Sequence, residues 1–379
     1  MVSFTSISQS ANILILASCL LIGSSHAAPV AGNSSANHTV SALDTLPPII
    51  SSRTQAVKVP SGNHDVESAN IEKNKEWYAA HGGTYKFDKR DSSTIAGMTM
   101  STPNDAPPVT LLAATSGITA ATSAQVATFK KYAGIAATAY CDAVTSSKTW
   151  TCTQCKAFAS DGKVITSFNV GADTVGFVMR SDADKTIYLA FRGSKTLSNW
   201  VTNLNFGLTN YTPVSGTKVH TGFYNAAKSA VSSYFSTIQG QLTSYPDYKV
   251  VVTGHSLGGA LALLAGMDLY QRESRLNKSN LFIYTAGCPR VGNPAFAYYV
   301  QGTGITVSRS VNERDIVPHI PPASFDFLHP GVEAWTKSAG NVQICTSTVE
   351  SDSCSNTIVP FTSIDDHLTY YGINEGGCK

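Results

Sequence analysis

The chain has 379 residues, of which 42% are hydrophobic and only 14% are charged, and its formal net charge is +2. This length allows two or three domains, although one α/β domain often uses more than about 200 residues. A charge this close to neutral provides no basic field for nucleic acid. The composition therefore argues against a nucleic-acid-binding protein.

Residues 1–27 predict a secretory signal peptide. An apolar run extends from Ile13 to Ile22, and Ser25-His26-Ala27 places small residues at the cleavage positions. The run is too short and too early to span a membrane, and no later segment resembles a span. We therefore expect a secreted, extracellular protein without stable membrane insertion.

Residues 28–90 predict a pro-peptide. The chain from residue 28 to about residue 110 is rich in Ser, Asn, Pro and Thr and looks unlike a folded core. The pair Lys89-Arg90 suits a dibasic processing protease, and the alternative is an ordinary solvated linker. Residues 91–112 would then remain as a flexible N-terminal arm or be trimmed later. Glycosylation acceptor sequences occur at Asn33, Asn37, Asn210 and Asn277.

Residues 113–379 read as one catalytic domain in which strands and helices alternate. Helical spacing covers 120–140, about 222–243 and the residues after Ser256. Strands are predicted at 163–168, 175–180, 186–191, 249–253, 281–286 and 305–311. Alternation of this kind predicts an α/β fold with a mainly parallel sheet and helices on both faces.

The segment Gly254-His255-Ser256-Leu257-Gly258 has the G-x-S-x-G pattern of a nucleophile elbow. It follows an apolar strand pattern and precedes an Ala/Leu-rich helix pattern, and the two glycines leave room where strand and helix close on each other. The N-terminus of the helix would face an oxyanion formed at the serine. The sequence thus predicts Ser256 as a nucleophile; the alternative is a glycine-rich turn before an ordinary helix.

A nucleophilic serine needs a base and an acid that orients the base, and in this fold type they follow in the order Ser, acid, His. Asp315 follows the strand predicted at 305–311 and is the predicted acid. His367, in a late loop, has the right position for the base, and its alternative is a surface histidine. His319 is only four residues from Asp315, with Pro318 between them, which makes simultaneous contact of its ring with Asp315 and Ser256 awkward. The histidines downstream of Ser256 are His319, His329 and His367.

Cysteine usage agrees with export. Cys19 lies in the signal peptide, Cys152 and Cys155 predict a small local disulfide, and Cys288 predicts a free, buried thiol. Residue spacing leaves the remaining pairings open. The sequence has no His-x-x-x-His motif and no clustered carboxylates at ligand spacing, so we expect neither a metal nor another cofactor.

Six motifs carry a resemblance to a known family: Phe191–Ser194, Val219–Phe223, Gly254–Gly259, Gly287–Gly292, Asn312–Pro318 and Asp366–Leu368. Through nearly all of 113–379 the chain resembles the secreted class 3 lipases of filamentous fungi. The resemblance implies an α/β-hydrolase-type fold and a triad of Ser256, Asp315 and His367. It implies an oxyanion hole built from the backbone N–H groups of Ser194 and Leu257, with help from the Ser194 hydroxyl. It also implies the disulfides Cys141–Cys378, Cys152–Cys155 and Cys345–Cys354.

Leu197, Trp200, Val201 and Leu204 form one apolar face of a short predicted helix. Such spacing usually marks a helix packed on the core, but the resemblance implies a lid over the active site. The full predicted lid and substrate-binding set is Leu197, Trp200, Val201, Leu204, Phe206, Val317 and Leu368. Ser198 and Asn203 stand where similar lipases carry Arg and Asp, so we expect a weaker electrostatic latch and weaker interfacial activation.

The resemblance implies a secreted triacylglycerol lipase that acts at a lipid–water interface by a Ser-His-Asp acyl-enzyme mechanism, and we expect a monomer. One alternative is an esterase on soluble esters, such as a feruloyl esterase, or a phospholipase of the same fold. An alternative from a different class is an inactive protein that binds lipid surfaces. The apolar lid favours a lipid substrate.

Overall fold

The computed structural model describes residues 46–85, 93–109, 117–171 and 173–378. The predicted signal peptide, the acceptors Asn33 and Asn37 and the pair Lys89-Arg90 lie outside these residues. The α-helices are α1 Ser68–Ala80, α2 Ser123–Ala137, α3 Asp142–Thr145, α4 Thr153–Phe158, α5 Leu197–Thr202, α6 Thr221–Ser244, α7 Leu257–Arg272 and α8 Pro294–Gly302. Short 3-10 helices cover Ser51–Arg53, Thr138–Tyr140, Val317–His319, Ala323–Phe325, Cys354–Ile358 and Asp365–Leu368.

The strands include the six predicted from the sequence and others that the sequence analysis missed. They are β1 Thr94–Ile95, β2 Met98–Thr99, β3 Ile118–Ala120, β4 Lys163–Val170, β5 Thr174–Ser181, β6 Thr186–Phe191, β7 Leu208–Asn210, β8 Lys218–His220, β9 Lys249–His255, β10 Leu281–Ala286, β11 Thr306–Asn312, β12 Val332–Ser338, β13 Asn341–Cys345, β14 Thr369–Tyr370 and β15 Ile373–Asn374.

Nine of these strands form one mixed sheet in the order β3-β13-β12-β11-β10-β9-β6-β5-β4. The five central strands β12, β11, β10, β9 and β6 run parallel, and both flanks of the sheet are antiparallel. The parallel strands β6, β9 and β11 end at the same edge, which is where open α/β sheets place their sites. The α/β-hydrolase-type fold is confirmed.

Side chains alternate between the two faces of the sheet, as the two-residue period of a strand requires. Along β6, Ile187, Leu189 and Phe191 pack in the core under α6 and α7. Tyr188 and Ala190 point the other way and join the core that contains Ile135 of α2. Burial on both faces explains the continuous apolar runs of β6, β9 and β10.

The N-terminal region is more ordered than the sequence analysis expected. Residues 46–85, within the predicted pro-peptide, include α1, and Asn74 of this helix donates hydrogen bonds to Thr357 O at 2.8 Å and Val359 O at 2.6 Å. The predicted flexible arm contains the hairpin β1–β2, where Met98 is 1% exposed. The expectation that this region has no packed structure was wrong. Its contacts are long-range, so a local pattern in the sequence does not reveal them.

The cysteines pair as Cys141–Cys378, Cys152–Cys155 and Cys345–Cys354. Cys288 is free and buried, and burial raises the pKa of its thiol to about 12. Among the described helices, none is both long and apolar enough to cross a membrane.

Candidate active site

Ser256 sits on a strained turn between β9 and α7. Its backbone has φ 59° and ψ −134°, a region that non-glycine residues rarely occupy. A Cβ on Gly254 would clash with the backbone of Gly258, and a Cβ on Gly258 would clash with the backbone carbonyl of Phe191 in β6. The two glycines of the motif therefore let strand, turn and helix approach each other at the serine.

Asp315 and His367 meet at the same edge of the sheet, although they are 52 residues apart. His367 Nδ1 lies 2.7 Å from Asp315 Oδ2, and both side chains are fully buried. A carboxylate accepts hydrogen bonds, so the imidazole donates from Nδ1, and in the neutral ring Nε2 keeps a free lone pair. This is the arrangement needed to orient a base.

Asp315 has two further partners that the sequence analysis missed. The Tyr370 hydroxyl donates to Asp315 Oδ2, and the Val317 N–H donates to Oδ1 at 2.8 Å. Burial and the Asp315 charge raise the pKa of Tyr370 well above its usual range, so the phenol remains a donor. Together with His367, these bonds hold the carboxylate in one orientation. No local motif marks Tyr370, because its bond depends on the late loop folding back on the sheet.

The serine and histidine atoms that a proton transfer would use are both buried and unpartnered. Ser256 Oγ and His367 Nε2 have no hydrogen-bond partner among the described residues. A Cβ built on Gly287 would lie 2.5 Å from His367 Cε1, so this glycine lets the imidazole approach the sheet. The rings of His367 and His255, the residue before the serine, are 4.3 Å apart.

His255 links the elbow to the backbone of His367. Its Nε2 lies 3.0 Å from the carbonyl oxygen of His367, and its Nδ1 lies 3.0 Å from the hydroxyl of Tyr140. Burial, reinforced by nearby His367, lowers the pKa of His255 well below its usual range. The neutral ring must donate from Nε2 to the carbonyl, so Nδ1 accepts from Tyr140.

The predicted oxyanion-hole residues, Ser194 and Leu257, both lie close to Ser256. Ser194 lies three residues after Phe191, where β6 ends, and a Cβ on the intervening Gly193 would lie 2.8 Å from Ser256 Cβ. Leu257 is the first residue of α7, so its N–H belongs to the helix-start amides that lack an intrahelical partner. Both predicted donors therefore lie next to the serine.

The predicted lid is α5, and its apolar face is covered. Val201 is 1% exposed and packs in a cluster with Ile316 and Val317, directly after Asp315. Trp200 stacks on Phe223 with a centroid separation of 6.2 Å and an interplanar angle of 22°. Met98 of the N-terminal hairpin belongs to the same cluster as Val201. In the full chain the apolar face of α5 therefore packs against the segment that follows Asp315 and against the N-terminal hairpin.

The other predicted lid contacts lie around this cluster. Leu197 and Leu204 are half-buried against it, and Phe206 makes an edge contact with Phe325 at 5.2 Å. Leu368 is 39% exposed beside His367. Ser198 and Asn203 are exposed, and no salt bridge in the described part of the chain involves α5.

The remaining two downstream histidines have other partners. His319 Nδ1 lies 3.1 Å from Asn356 Oδ1, and His329 Nε2 lies 2.9 Å from the carbonyl oxygen of Pro318. Both side chains are buried. Of the three histidines downstream of Ser256, all of them among the described residues, only His367 has a ring nitrogen hydrogen-bonded to Asp315.

Comparison with known proteins agrees with this architecture. Residues 188–325 match the family Lipase (class 3). The chain is 54% identical to the lipase of Rhizopus oryzae over 392 residues, with 100% of each chain covered. It is similar to the solved propeptide complex of Rhizomucor miehei lipase, with TM-score 0.78, 46% identity, and coverage of 88% of this chain and 100% of that one. A solved triacylglycerol lipase whose catalytic centre is a serine protease triad matches with TM-score 0.67, 52% identity, and coverage of 69% and 99%.

The fold is that of the α/β hydrolases, and the elbow serine at the sheet edge is typical of that class. Within it, the chain belongs to the class 3 lipase family, because full-length identity of 54% leaves the family assignment unambiguous.

Proposed function

We propose that this chain is a secreted triacylglycerol lipase in which Ser256, His367 and Asp315 act as nucleophile, base and orienting acid. One observation carries the proposal: a buried Asp315–His367 hydrogen bond stands beside a strained, unpartnered Ser256 beneath an apolar lid. The solved relative with a serine protease triad is a triacylglycerol lipase, which supports the substrate class.

In the first half of the reaction, Ser256 Oγ attacks the ester carbonyl carbon while His367 Nε2 takes the hydroxyl proton. The carbonyl electron pair moves to oxygen, and the N–H groups of Ser194 and Leu257 stabilise this oxyanion. Asp315 stabilises the imidazolium without taking its proton. When the intermediate collapses, the C–O bond to diacylglycerol breaks and His367 gives its proton to the leaving alkoxide.

In the second half, water attacks the acyl carbon of the Ser256 ester and His367 takes a proton from that water. The C–O bond to Ser256 then breaks, the proton returns to Oγ, and a fatty acid leaves. The residues of this chain supply every group in the cycle, and water is the only co-substrate.

We further propose that residues 1–27 direct export and that cleavage after Arg90 removes the pro-segment 28–90. The R. miehei lipase has a solved propeptide complex, which supports a proform in this chain. Residues 113–379 then contain the catalytic domain, and we expect it to act as a monomer at the lipid–water interface.

The test is to measure turnover of Ser256→Ala, His367→Ala and Asp315→Asn on emulsified triolein and on soluble short-chain and feruloyl esters. We expect kcat to fall by about 10⁴- to 10⁶-fold in each variant, and the triple variant to be no worse than Ser256→Ala, because the three groups act as one unit. An organophosphonate should label only chains that retain Ser256.

Three results would contradict the proposal. Near-normal turnover by His367→Ala together with loss in His319→Ala would move the base to His319. Turnover of feruloyl esters but not of triolein would replace the lipase with a soluble-ester hydrolase, and absence of phosphonate labelling would leave an inactive lipid-binding protein.

A further inference from the structure

The carboxylate of Glu67, in the proposed pro-segment, is buried inside the catalytic domain. Its side chain is 2% exposed, and its two oxygens have different partners. Oε1 lies 2.8 Å from Arg290 Nη2 and 3.4 Å from His319 Nδ1. Oε2 accepts from the backbone N–H of Ala323 at 2.9 Å. The Nδ1 proton of His319 is directed at Asn356 Oδ1, 3.1 Å away, so the donors to Glu67 among these groups are Arg290 Nη2 and the Ala323 N–H. We call these two donors, together with the adjoining His319 ring, the Glu67 seat.

The Glu67 seat is built without help from the pro-segment. Arg290 is held by the carboxylate of Glu350, with Nε to Oε2 at 2.9 Å and Nη2 to Oε1 at 2.7 Å. Its Nη1 donates to the carbonyls of His319 at 2.8 Å and Pro321 at 3.0 Å. All these partners belong to residues 113–379. The guanidinium therefore keeps its orientation when Glu67 leaves, and the donors remain arranged for a carboxylate.

Apolar surface lies on both sides of the Glu67 seat. Val66 packs against Ala297, Leu328 and Val349. Ile71, one helical turn beyond Glu67, packs against the cluster that contains Val201 of the lid. Release of the pro-segment would uncover these apolar contacts together with the two donors. The uncovered surface then suits a ligand with one carboxylate and an alkyl chain.

We propose that the Glu67 seat is a carboxylate-binding site of the catalytic domain, outside the triad, and that in the processed enzyme it takes the carboxylate of a fatty acid. The choice of a fatty acid rests on the proposed function, since a fatty acid is the acidic product of that reaction. A fatty acid and the pro-segment would compete for the seat, so the product promotes release of a cleaved pro-segment. The bound carboxylate shares the Arg290 guanidinium with the carboxylate of Glu350, so we expect only millimolar affinity for small carboxylates.

The first experiment asks whether the seat binds a carboxylate at all. In the full chain, Glu67→Ala leaves a hole of carboxylate size facing the two donors. We expect acetate at about 100 mM to raise the melting temperature of this variant by about 2–4 °C more than sodium chloride or neutral acetamide does. Wild type and Glu72→Ala, which changes an exposed glutamate of the adjoining helix α1, should show no acetate-specific shift. Equal shifts with acetate and acetamide would overturn the site.

The second experiment tests the fatty acid. The full chain carrying Ser256→Ala is cut at Lys89-Arg90 with a dibasic-specific protease, and retention of the pro-segment is followed by gel filtration. Octanoate below its micelle concentration should lower the retained fraction at least several-fold relative to octanol, and Glu67→Gln should lower it without any ligand. Equal release by octanoate and octanol would overturn the fatty-acid assignment. Neither readout needs hydrolysis, so failure of the proposed function would leave both results interpretable.

Discussion

The Tyr140 hydroxyl lies 3.0 Å from Nδ1 of His255, the residue that precedes the elbow serine. Through the other ring nitrogen, His255 contacts the carbonyl oxygen of His367. The Tyr140 hydroxyl also lies against Gly193, the residue before the predicted oxyanion residue Ser194: a Cβ built on Gly193 would clash with it. The Tyr140 hydroxyl therefore contacts the segment that follows β6 and the elbow, and it is linked through His255 to the loop that carries His367.

Tyr140→Phe removes this connection while keeping the ring. We expect the free energy of unfolding to fall by about 1–3 kcal/mol, because Nδ1 of the buried His255 loses its donor. Denaturant unfolding measures the change. Tyr234→Phe is the matched control, since the buried Tyr234 hydroxyl has no partner among the described residues and its loss should be nearly neutral. Equal effects of the two substitutions would show that the Tyr140 bond is not special.

Ser194→Ala should lower kcat on a soluble ester by about ten- to a hundred-fold, through loss of one oxyanion donor. In the closed chain, Ser194 Oγ accepts from the Thr196 N–H at 3.3 Å, so its own hydrogen remains available to donate. The backbone N–H survives the substitution, which limits the loss. Ser194→Thr keeps the hydroxyl and should retain most activity. An unchanged kcat in Ser194→Ala would remove the hydroxyl from the oxyanion hole.

Trp200→Ala should reduce hydrolysis of emulsified long-chain triglyceride more than hydrolysis of a soluble short-chain ester. The Trp200 ring is half-buried in the closed lid and would meet lipid when α5 is displaced, so it stabilises the open state only at an interface. Initial rates on the two substrates give the comparison. Trp200→Phe keeps an apolar ring and should lie between wild type and Trp200→Ala.

Equal losses on both substrates would make Trp200 a core residue, which its stacking on Phe223 also permits, and would end the lid interpretation of this side chain. Because Ser198 and Asn203 are uncharged where similar lipases are expected to carry Arg and Asp, we also expect wild type to show a smaller rate increase at the solubility limit than relatives with a charged lid.

Asp366→Asn should stabilise the protein near neutral pH but not near pH 4. Burial raises the pKa of Asp366 from its usual 3.8 to about 6, although the Arg314 N–H bond opposes the rise. The folded state therefore binds more protons than the unfolded state between these values, so stability falls as pH rises through that interval. Asp366→Asn removes the titrating carboxyl, so the stability of this variant does not fall through that pH interval for this reason. Melting temperatures of wild type and Asp366→Asn are compared across pH 4–7. A difference between the two that does not change with pH would contradict the raised pKa.

The sequence predicted the elements that depend on local pattern. The apolar runs of β6, β9 and β10 are continuous because both faces of these strands are buried. Gly254 is required by a backbone contact within the turn itself, whereas Gly258 is required by the carbonyl of Phe191 in the neighbouring strand β6. The order of serine, acid and histidine, read with the family motifs, selected Asp315 and His367, which the structure brings within 2.7 Å.

Contacts between residues that are far apart in the sequence were decided by the tertiary structure alone. Three hydrogen bonds join residues that are 55, 115 and 223 positions apart: Tyr370 to Asp315, Tyr140 to His255, and Arg290 to Glu67. The helix α1 and the hairpin β1–β2 were missed for the same reason, since their burial comes from surfaces supplied by the catalytic domain. Local periodicity records which face of an element is apolar, but only the folded chain determines which distant polar groups meet there.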